Sequence, residues 1–148
     1  MKFGRNTVQR QIVLDAVKKL NTHPSVEEIF TFVHKEHPSI SKSTVYRNLR
    51  YLDDGGNLKY ISMPDGTPRY DANCSNHYHF RCKNCEKIFD VEIAYLEGIN
   101  DLVQSLHGFE VGEHDVVFTG SCKTCKNNNT APYEKARDNQ KGEVTWQI

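Results

Sequence analysis

The 148-residue sequence predicts an α+β fold, in which an N-terminal winged helix-turn-helix domain is followed by a small α/β domain. Three observations predict this fold. The first sixty residues carry three helical patterns, a strand–turn–strand pattern comes next, and two Cys-x-x-Cys pairs bracket mixed strand and helix patterns in the second half. We expect residues 1–72 to form the first domain, residues 75–126 the second, and residues 127–148 a polar tail with Trp146 as its only anchor.

The first two helices have clear patterns and boundaries. Apolar residues recur at three- and four-residue steps between Val8 and Leu20, which places them on one helical face. Ser25, with Glu28 three residues later, predicts a capping box that opens the second helix. Pro38 ends that helix, because the residue before a proline is pushed out of helical geometry.

The third helix and the hairpin complete the first domain. Ser41 caps the third helix, and Gly55–Gly56 stops it. Residues Leu58–Ser62 and Pro68–Asp71 then read as two strands joined by a turn. Three helices and a two-stranded ribbon in this order predict a winged helix, although another small α+β domain would share the pattern.

The second half has a different character. We expect strands at Tyr78–Arg81 and Lys87–Ile93 on either side of the first Cys-x-x-Cys pair. Apolar residues at helical spacing between positions 96 and 106 predict a helix that ends near Gly108. Alternation over Phe109–Phe118 predicts a further strand that leads to the second pair.

The net charge of zero hides an uneven distribution. Residues 1–70 carry 11 Lys and Arg against 7 Asp and Glu, whereas residues 71–148 carry 8 against 12. The basic first half and acidic second half suggest two different tasks. No apolar run is long enough for a transmembrane span and no secretory leader opens the chain, so we expect no membrane association and a cytoplasmic location.

Four of the five cysteines form two pairs with the same spacing. Two intervening residues allow both thiolates of a pair to reach one ion, and two pairs supply a tetrahedral four-thiolate zinc site. Four thiolates leave no open coordination position, so the zinc would be structural. Thioredoxin-like redox pairs and unligated thiols are the alternatives. The predicted ligands are Cys82, Cys85, Cys122 and Cys125, and Cys74 is expected to be a spectator.

A second group combines histidines and carboxylates. His77 and His79 lie two residues apart on a predicted strand and therefore project from the same face. Nitrogen and carboxylate donors suit Fe(II), Mn(II) or Zn(II). Asp71 and Asp90 are nearby acids, but spacing alone leaves open which acids complete the site. We expect His34, His37, His107 and His114 to be surface residues.

The third helix presents a polar face opposite its apolar stripe. Arginine can bond guanine edges, and hydroxyls can bond phosphate, so this face suits the DNA major groove. A solvated helix face is the alternative, and the position before a predicted wing favours DNA. The expected contacts are Lys42, Ser43, Thr44, Tyr46, Arg47 and Arg50.

Several motifs together resemble the ferric uptake regulator (Fur) superfamily, and most closely its peroxide-sensing PerR branch. The resemblance extends from about Thr7 to Cys125. It rests on Thr7-Val8-Gln9-Arg10, His23-Pro24, Ser43-Thr44-Val45-Tyr46-Arg47-Asn48-Leu49, Arg69-Tyr70-Asp71, His77-x-His79-x-x-Cys82-x-x-Cys85 and Cys122-x-x-Cys125. Aspartate at position 90, where iron-uptake regulators usually carry glutamate, is the main reason to favour the peroxide-sensing branch.

The resemblance implies a DNA-binding winged helix, an α/β dimerisation domain and a homodimeric repressor that binds a double-stranded DNA operator. It implies that Fe(II) or Mn(II) is bound by His23, Asp71, His77, His79 and Asp90. It also implies that hydrogen peroxide, with iron bound, oxidises His23 or His77. An iron- or zinc-responsive regulator of metal uptake is the alternative within the family. A metalloenzyme is disfavoured because five protein ligands leave little room for substrate, and a redox protein that uses its Cys-x-x-Cys pairs is a third possibility.

Overall fold

The computed structural model describes residues 5–128, and side chains from residue 7 onward. The chain divides into two compact units, Met1–Asn76 and His77–Ile148, and each is described by itself. No helix within the described range combines the length and apolar character that a membrane span requires. The predicted polar tail beyond residue 128, including Trp146, lies outside the described residues.

Three helices and a two-stranded antiparallel hairpin form the first unit, in the order expected of a winged helix-turn-helix. The hairpin pairs Lys59 with Asp71 and Ser62 with Pro68. The predicted fold class and element order are confirmed. The elements are α1 (Arg5–Leu20), α2 (Val26–Glu36), α3 (Lys42–Asp54), β1 (Lys59–Ser62) and β2 (Pro68–Asp71).

Local capping explains where α2 and α3 begin. The Ser25 hydroxyl accepts a bond from the Glu28 amide at 3.3 Å, and the Glu28 carboxylate accepts one from the Ser25 amide at 2.7 Å. This reciprocal pair is the predicted capping box. At the start of α3, the Ser41 hydroxyl accepts from the Thr44 amide at 3.2 Å. Both helix starts are therefore specified by residues within one turn of them.

The core of the first unit is built from the inward faces of its helices. Val13, Ile29, Val45 and Leu49 are all fully buried. Burying an aliphatic side chain of this size contributes roughly 1.5–3 kcal/mol relative to leaving it exposed. Because α3 is held by this apolar stripe, its opposite face is left at the surface.

The second unit contains a three-stranded sheet with β3 in the centre. The strand order is β4-β3-β5, with β4 antiparallel and β5 parallel to β3. The parallel pairing needs a crossover connection, which contains α4. The elements are β3 (Tyr78–Cys82), β4 (Ile88–Val91), α4 (Gly98–His107), β5 (Val117–Gly120) and α5 (Lys123–Asn127).

Two features of the second unit differ from expectation. The predicted strand over Phe109–Phe118 is wrong, because only its last two residues belong to β5, which runs from Val117 to Gly120. The backbone N–H and C=O of His114 are both bonded to the Tyr95 hydroxyl, so they are not available for a strand ladder. The short helix α5, which carries the second cysteine of its pair, was not predicted.

Candidate metal centres and nucleic-acid interface

The four cysteines of the two Cys-x-x-Cys pairs converge in the second unit. Cys82 ends β3, Cys85 lies in the turn before β4, and Cys122 and Cys125 flank the start of α5. Each sulfur lies within 4.8 Å of the other three. The Cys85 and Cys122 sulfurs are 3.8 Å apart. A tetrahedral zinc site with Zn–S bonds of about 2.3 Å has sulfur–sulfur edges of about 3.8 Å, so this donor set fits zinc.

Backbone amides around the cysteines favour thiolate. The Cys122 amide donates to the Cys82 sulfur at 3.3 Å. Burial raises the pKa of the Cys82 thiol, but backbone N–H groups of Cys85, Cys122 and Asn84, together with the Cys85 side chain, outweigh burial and lower the pKa to about 6. Amide donors that stabilise a bound thiolate are therefore already in place.

The opposite shift occurs at Cys125. Burial, followed by hydrogen bonds with the Cys122, Cys85 and Cys82 side chains, raises the pKa of the Cys125 thiol to about 12. Four sulfurs this close cannot all carry negative charge unless a cation compensates it. A divalent ion would replace the retained protons. The fifth cysteine, Cys74, is exposed and lies outside this group.

The second unit also brings together His77, His79 and Asp90. His79 lies on β3 directly opposite Asp90 on β4. The Asp90 Oδ1 atom is 3.2 Å from His77 Nε2 and 3.6 Å from His79 Nε2. His79 is buried, whereas Asp90 is exposed. Two imidazole nitrogens and a carboxylate oxygen form a donor set typical of Fe(II) or Mn(II).

The first unit brings His23 and Asp71 together in the same manner. His23 Nε2 and Asp71 Oδ2 are 3.3 Å apart, and both residues are buried. The second carboxylate oxygen of Asp71 accepts from the Asn73 amide at 2.8 Å, which fixes the orientation of the carboxylate. This pair adds one nitrogen and one oxygen donor of the same chemical kind. The predicted cofactors, zinc and Fe(II) or Mn(II), thus fit the donor sets that the chain presents.

His23 adopts a backbone conformation that residues other than glycine rarely adopt. Its φ is 52°, in the left-handed region, where a non-glycine residue requires support from its surroundings. Arg69 on β2 supplies some of that support: its Nη1 donates to the Glu28 carboxylate at 3.0 Å and approaches the His23 carbonyl at 3.5 Å. The capping box of α2 is therefore connected to the loop that carries His23. No local pattern indicates this role of Arg69, because its partners lie 41 and 46 residues away along the chain.

The outer face of α3 forms a shallow, open surface. The residues that line it are Lys42, Ser43, Tyr46, Arg47 and Arg50. Neither Arg47 nor Arg50 forms an ion pair with a residue in the described range 5–128. Thr44 is placed differently: it is half-buried, and its hydroxyl bonds the Ser41 hydroxyl at 2.9 Å.

Lys42 has an acidic partner that the sequence analysis did not identify. Its Nζ is 2.6 Å from the Glu27 carboxylate in the first turn of α2. The hydrogen bond from Lys42 is the main reason that the pKa of Glu27 is lowered, with a backbone hydrogen bond and the Lys42 charge adding to it. Both side chains are largely exposed, so solvent weakens the pair.

The expectation that His114 is a surface residue is wrong. It is half-buried, its Nε2 is 2.7 Å from the Tyr78 hydroxyl, and its Nδ1 is 2.6 Å from Asn100 Oδ1. Its ring also stacks on Tyr95 with a centroid separation of 4.3 Å. The partners lie 36 and 14 residues away along the chain, so no local pattern indicates them.

The chain is similar to proteins of known classification. The model of the ferric uptake regulator family matches residues 3–119. The peroxide-responsive repressor PerR of Staphylococcus aureus (strain USA300) is 38% identical over 122 residues, which cover 82% of each protein. Among solved structures, the Campylobacter jejuni peroxide stress regulator is 31% identical with a TM-score of 0.70, over 82% of this chain and 91% of that one. The Helicobacter pylori ferric uptake regulator Fur is 26% identical with a TM-score of 0.69, over 82% of both chains.

Proposed function

Because this chain belongs to the ferric uptake regulator family, we propose that it is a metal-dependent repressor that binds DNA and responds to hydrogen peroxide. The observation that carries this proposal is the set of nitrogen and oxygen donors in the two units. His77 and His79 face Asp90 in the second unit, and His23 faces Asp71 in the first. Similarity to a peroxide-responsive repressor and a peroxide stress regulator supports the choice of signal.

We assign the regulatory ion, Fe(II) or Mn(II), to all five of these residues. Ligands drawn from both units would make the arrangement of the DNA-binding and dimerisation domains depend on the ion. The ion then favours the arrangement of the two domains to which it binds more tightly. In that arrangement the two recognition helices of a dimer reach successive half-sites on DNA.

We assign structural zinc to Cys82, Cys85, Cys122 and Cys125. The four sulfurs come from the end of β3, the turn that follows it and the start of α5. An ion held by these elements ties the end of β3 and the turn after it to the start of α5. Because the free energy of zinc binding contributes to folding, loss of zinc is expected to destabilise this unit.

We assign the DNA contacts to the outer face of α3, with Lys42, Ser43, Tyr46, Arg47 and Arg50 as the principal residues. Thr44 acts indirectly, since its hydroxyl is bonded to the N-cap Ser41. The basic first half of the chain supports this assignment, because phosphate contacts supply salt-dependent affinity.

We assign a homodimer interface to the second unit. In α4 and the loop after it, Leu102, Leu106 and Phe109 have more than half of their accessible surface exposed. No residue of α4 is buried, although its hydrophobic side chains recur at helical spacing. Exposed apolar surface of this kind is typical of interfaces between subunits. We propose, in addition, that the protein acts in the cytoplasm as a DNA-binding regulator and not as an enzyme.

The proposed response to peroxide is oxidation of a ligand histidine. Fe(II) held by these residues would supply the one-electron chemistry that cleaves the O–O bond of peroxide, and Mn(II) would not. Overall, one peroxide oxygen would be added to an imidazole carbon of His23 or His77, the hydrogen of that carbon being retained on the oxidised ring, and the other oxygen would leave as water. The histidine would lose two electrons and the peroxide would gain two, with no net change in the oxidation state of iron. An oxidised imidazole binds metal poorly, so the protein releases DNA.

The test is mass spectrometry of the zinc-loaded protein after peroxide treatment, with either Fe(II) or Mn(II) added anaerobically. We expect one oxygen atom on a peptide that contains His23 or His77 with Fe(II) and none with Mn(II). DNA sequences selected from a random duplex pool by the Mn(II)-loaded protein provide the matching binding assay. Oxidation confined to cysteines would overturn the peroxide-sensing proposal. DNA binding that follows metal concentration and ignores peroxide would instead identify a regulator of metal uptake.

A further inference from the structure

Tyr78 lies on β3 between the two histidines His77 and His79. Because side chains alternate along a strand, Tyr78 projects to the face opposite the histidines. It is 1% exposed, and its ring packs near the rings of Tyr95 and Phe118 at centroid distances of 5.6 and 6.2 Å. The residue between the histidines is therefore anchored in the interior of the second unit.

The hydroxyl of Tyr78 has two hydrogen-bond partners. The Leu96 amide donates to it at 2.9 Å, and His114 Nε2 lies 2.7 Å away. With the Leu96 N–H as a donor, the hydroxyl hydrogen is directed to His114 Nε2. The Nδ1–H group of His114 then donates to Asn100 Oδ1 at 2.6 Å. This assignment gives every group in the chain of bonds a partner of the correct kind.

A second tyrosine immobilises His114. The Tyr95 hydroxyl accepts from the His114 amide at 2.7 Å and donates to its carbonyl at 3.0 Å. The Tyr95 ring stacks on the imidazole with an angle of 18° between the planes. His114 thus cannot turn away from Tyr78 without breaking several contacts. Fully satisfied polar networks of this type hold one arrangement of the side chains around them.

We propose that Tyr78 is a positioning residue for the regulatory metal, fixing β3 through its bonds to His114 and Leu96 so that both histidines face Asp90. This inference rests on the proposed function, since it assumes that His77 and His79 bind that ion. Any twist of β3 about its axis at Tyr78 swings both imidazoles away from the carboxylate. His114 and Asn100 form the outer part of the same hydrogen-bond network.

The hydroxyl group of Tyr78, more than its aromatic ring, performs this role. Phenylalanine at position 78 keeps the ring but leaves His114 Nε2 and the Leu96 amide without their bonds to the hydroxyl. Removing a group that bonds a metal-binding histidine directly typically weakens metal affinity by about 10- to 100-fold, and Tyr78 acts on His77 and His79 only through β3, so its loss should lie at the low end of this range. We expect Tyr78→Phe to weaken Mn(II) binding by about tenfold while the zinc content stays complete.

The experiment titrates Mn(II) into zinc-loaded full-length protein and follows free Mn(II) by electron paramagnetic resonance. Tyr60→Phe is the matched control, because it removes a hydroxyl group from a partly exposed tyrosine of β1. His114→Leu should weaken Mn(II) binding to the same extent as Tyr78→Phe, and the double variant should be no weaker than either one. His114→Gln should restore most of the affinity, because its amide can accept from the phenol and donate to Asn100.

Each outcome separates the positioning role from the proposed function. Unchanged Mn(II) affinity in Tyr78→Phe, with affinity lost in Asp90→Asn, would overturn the positioning role and leave the regulatory site intact. Mn(II) binding that ignores both substitutions would overturn the proposed function. Loss of zinc in Tyr78→Phe, or full additivity of the two substitutions, would show a general structural role and also overturn the positioning role.

Discussion

His79 and Asp90 are cross-strand partners: they face each other between β3 and β4, with His79 Nε2 3.6 Å from Asp90 Oδ1. Directly opposed residues in an antiparallel pair have their Cβ atoms only about 4.5–5.5 Å apart. The register of the sheet therefore sets the separation of a nitrogen and an oxygen donor. A shift of one residue would move Asp90 to the other face of the sheet.

Asp90→Asn tests this relationship. The amide keeps the size of the carboxylate but removes its charge, so we expect Mn(II) affinity to fall by at least about tenfold while zinc content stays unchanged. Glu92→Gln is the matched control, because it removes the same charge from an exposed position two residues along the chain. Mn(II) titration followed by electron paramagnetic resonance measures the effect. Equal affinities for the two variants would show that Asp90 is not a ligand.

Cys125→Ser tests the four-sulfur group. The variant leaves three sulfurs, so we expect zinc to be lost and the second unit to lose its stability, because zinc binding and folding are linked. Hydrogen–deuterium exchange should accelerate in peptides from residues 77–128 and stay unchanged in those from residues 5–76. Cys74→Ser is the control and should retain zinc, since Cys74 is outside the group. Slow exchange in residues 77–128 after zinc loss would contradict a structural role for the metal.

The elements that sequence predicts correctly have short-range causes. The capping box requires only Ser25 and Glu28, three residues apart, and the structure contains both of its hydrogen bonds. The predicted strand over Phe109–Phe118 failed for the opposite reason. Its alternation is real, but Tyr95, nineteen residues from His114, binds the backbone groups that a strand would have used. A pattern within one segment carries no information about such a distant competitor.

The sites divide in the same way. The spacing of the cysteine pairs and of His77 and His79 is visible in the sequence because the residues of each pair must reach one point. Asp90 becomes a partner of His79 only through strand register, which residue types alone do not specify. The Tyr78–His114 contact joins residues 36 positions apart, and neither residue has a motif of its own. Lone polar residues with distant partners are thus the part of a site that a single sequence does not reveal.

Arg47→Ala tests the DNA-facing surface of α3. Arg47 is exposed, so its removal leaves the core intact, and we expect unchanged stability. Loss of an arginine that binds a base edge costs about 1–3 kcal/mol, or roughly 5- to 160-fold in affinity for selected DNA. Lys35→Ala, which removes an exposed positive charge from α2, is the control. Fluorescence anisotropy with the selected duplex measures binding, and equal affinities for the two variants would remove Arg47 from the interface.

Glu27→Gln tests whether the acid beside Lys42 competes with DNA. The Glu27 carboxylate lies 2.6 Å from Lys42 Nζ, so its neutralisation should release Lys42 to a phosphate and tighten DNA binding about two- to fivefold at low salt. Glu36→Gln, at the far end of α2, is the control of equal charge.

The ion pair between Glu27 and Lys42 also makes the stability of the protein depend on pH. Because Lys42 lowers the pKa of Glu27, the pair stabilises the folded state at neutral pH, and this stabilisation disappears as pH falls below the ordinary glutamate range. Urea unfolding should therefore separate wild type from Glu27→Gln at pH 7 and not at about pH 3. In the DNA-binding assay, identical affinities for Glu27→Gln and Glu36→Gln would show that Glu27 does not restrain Lys42.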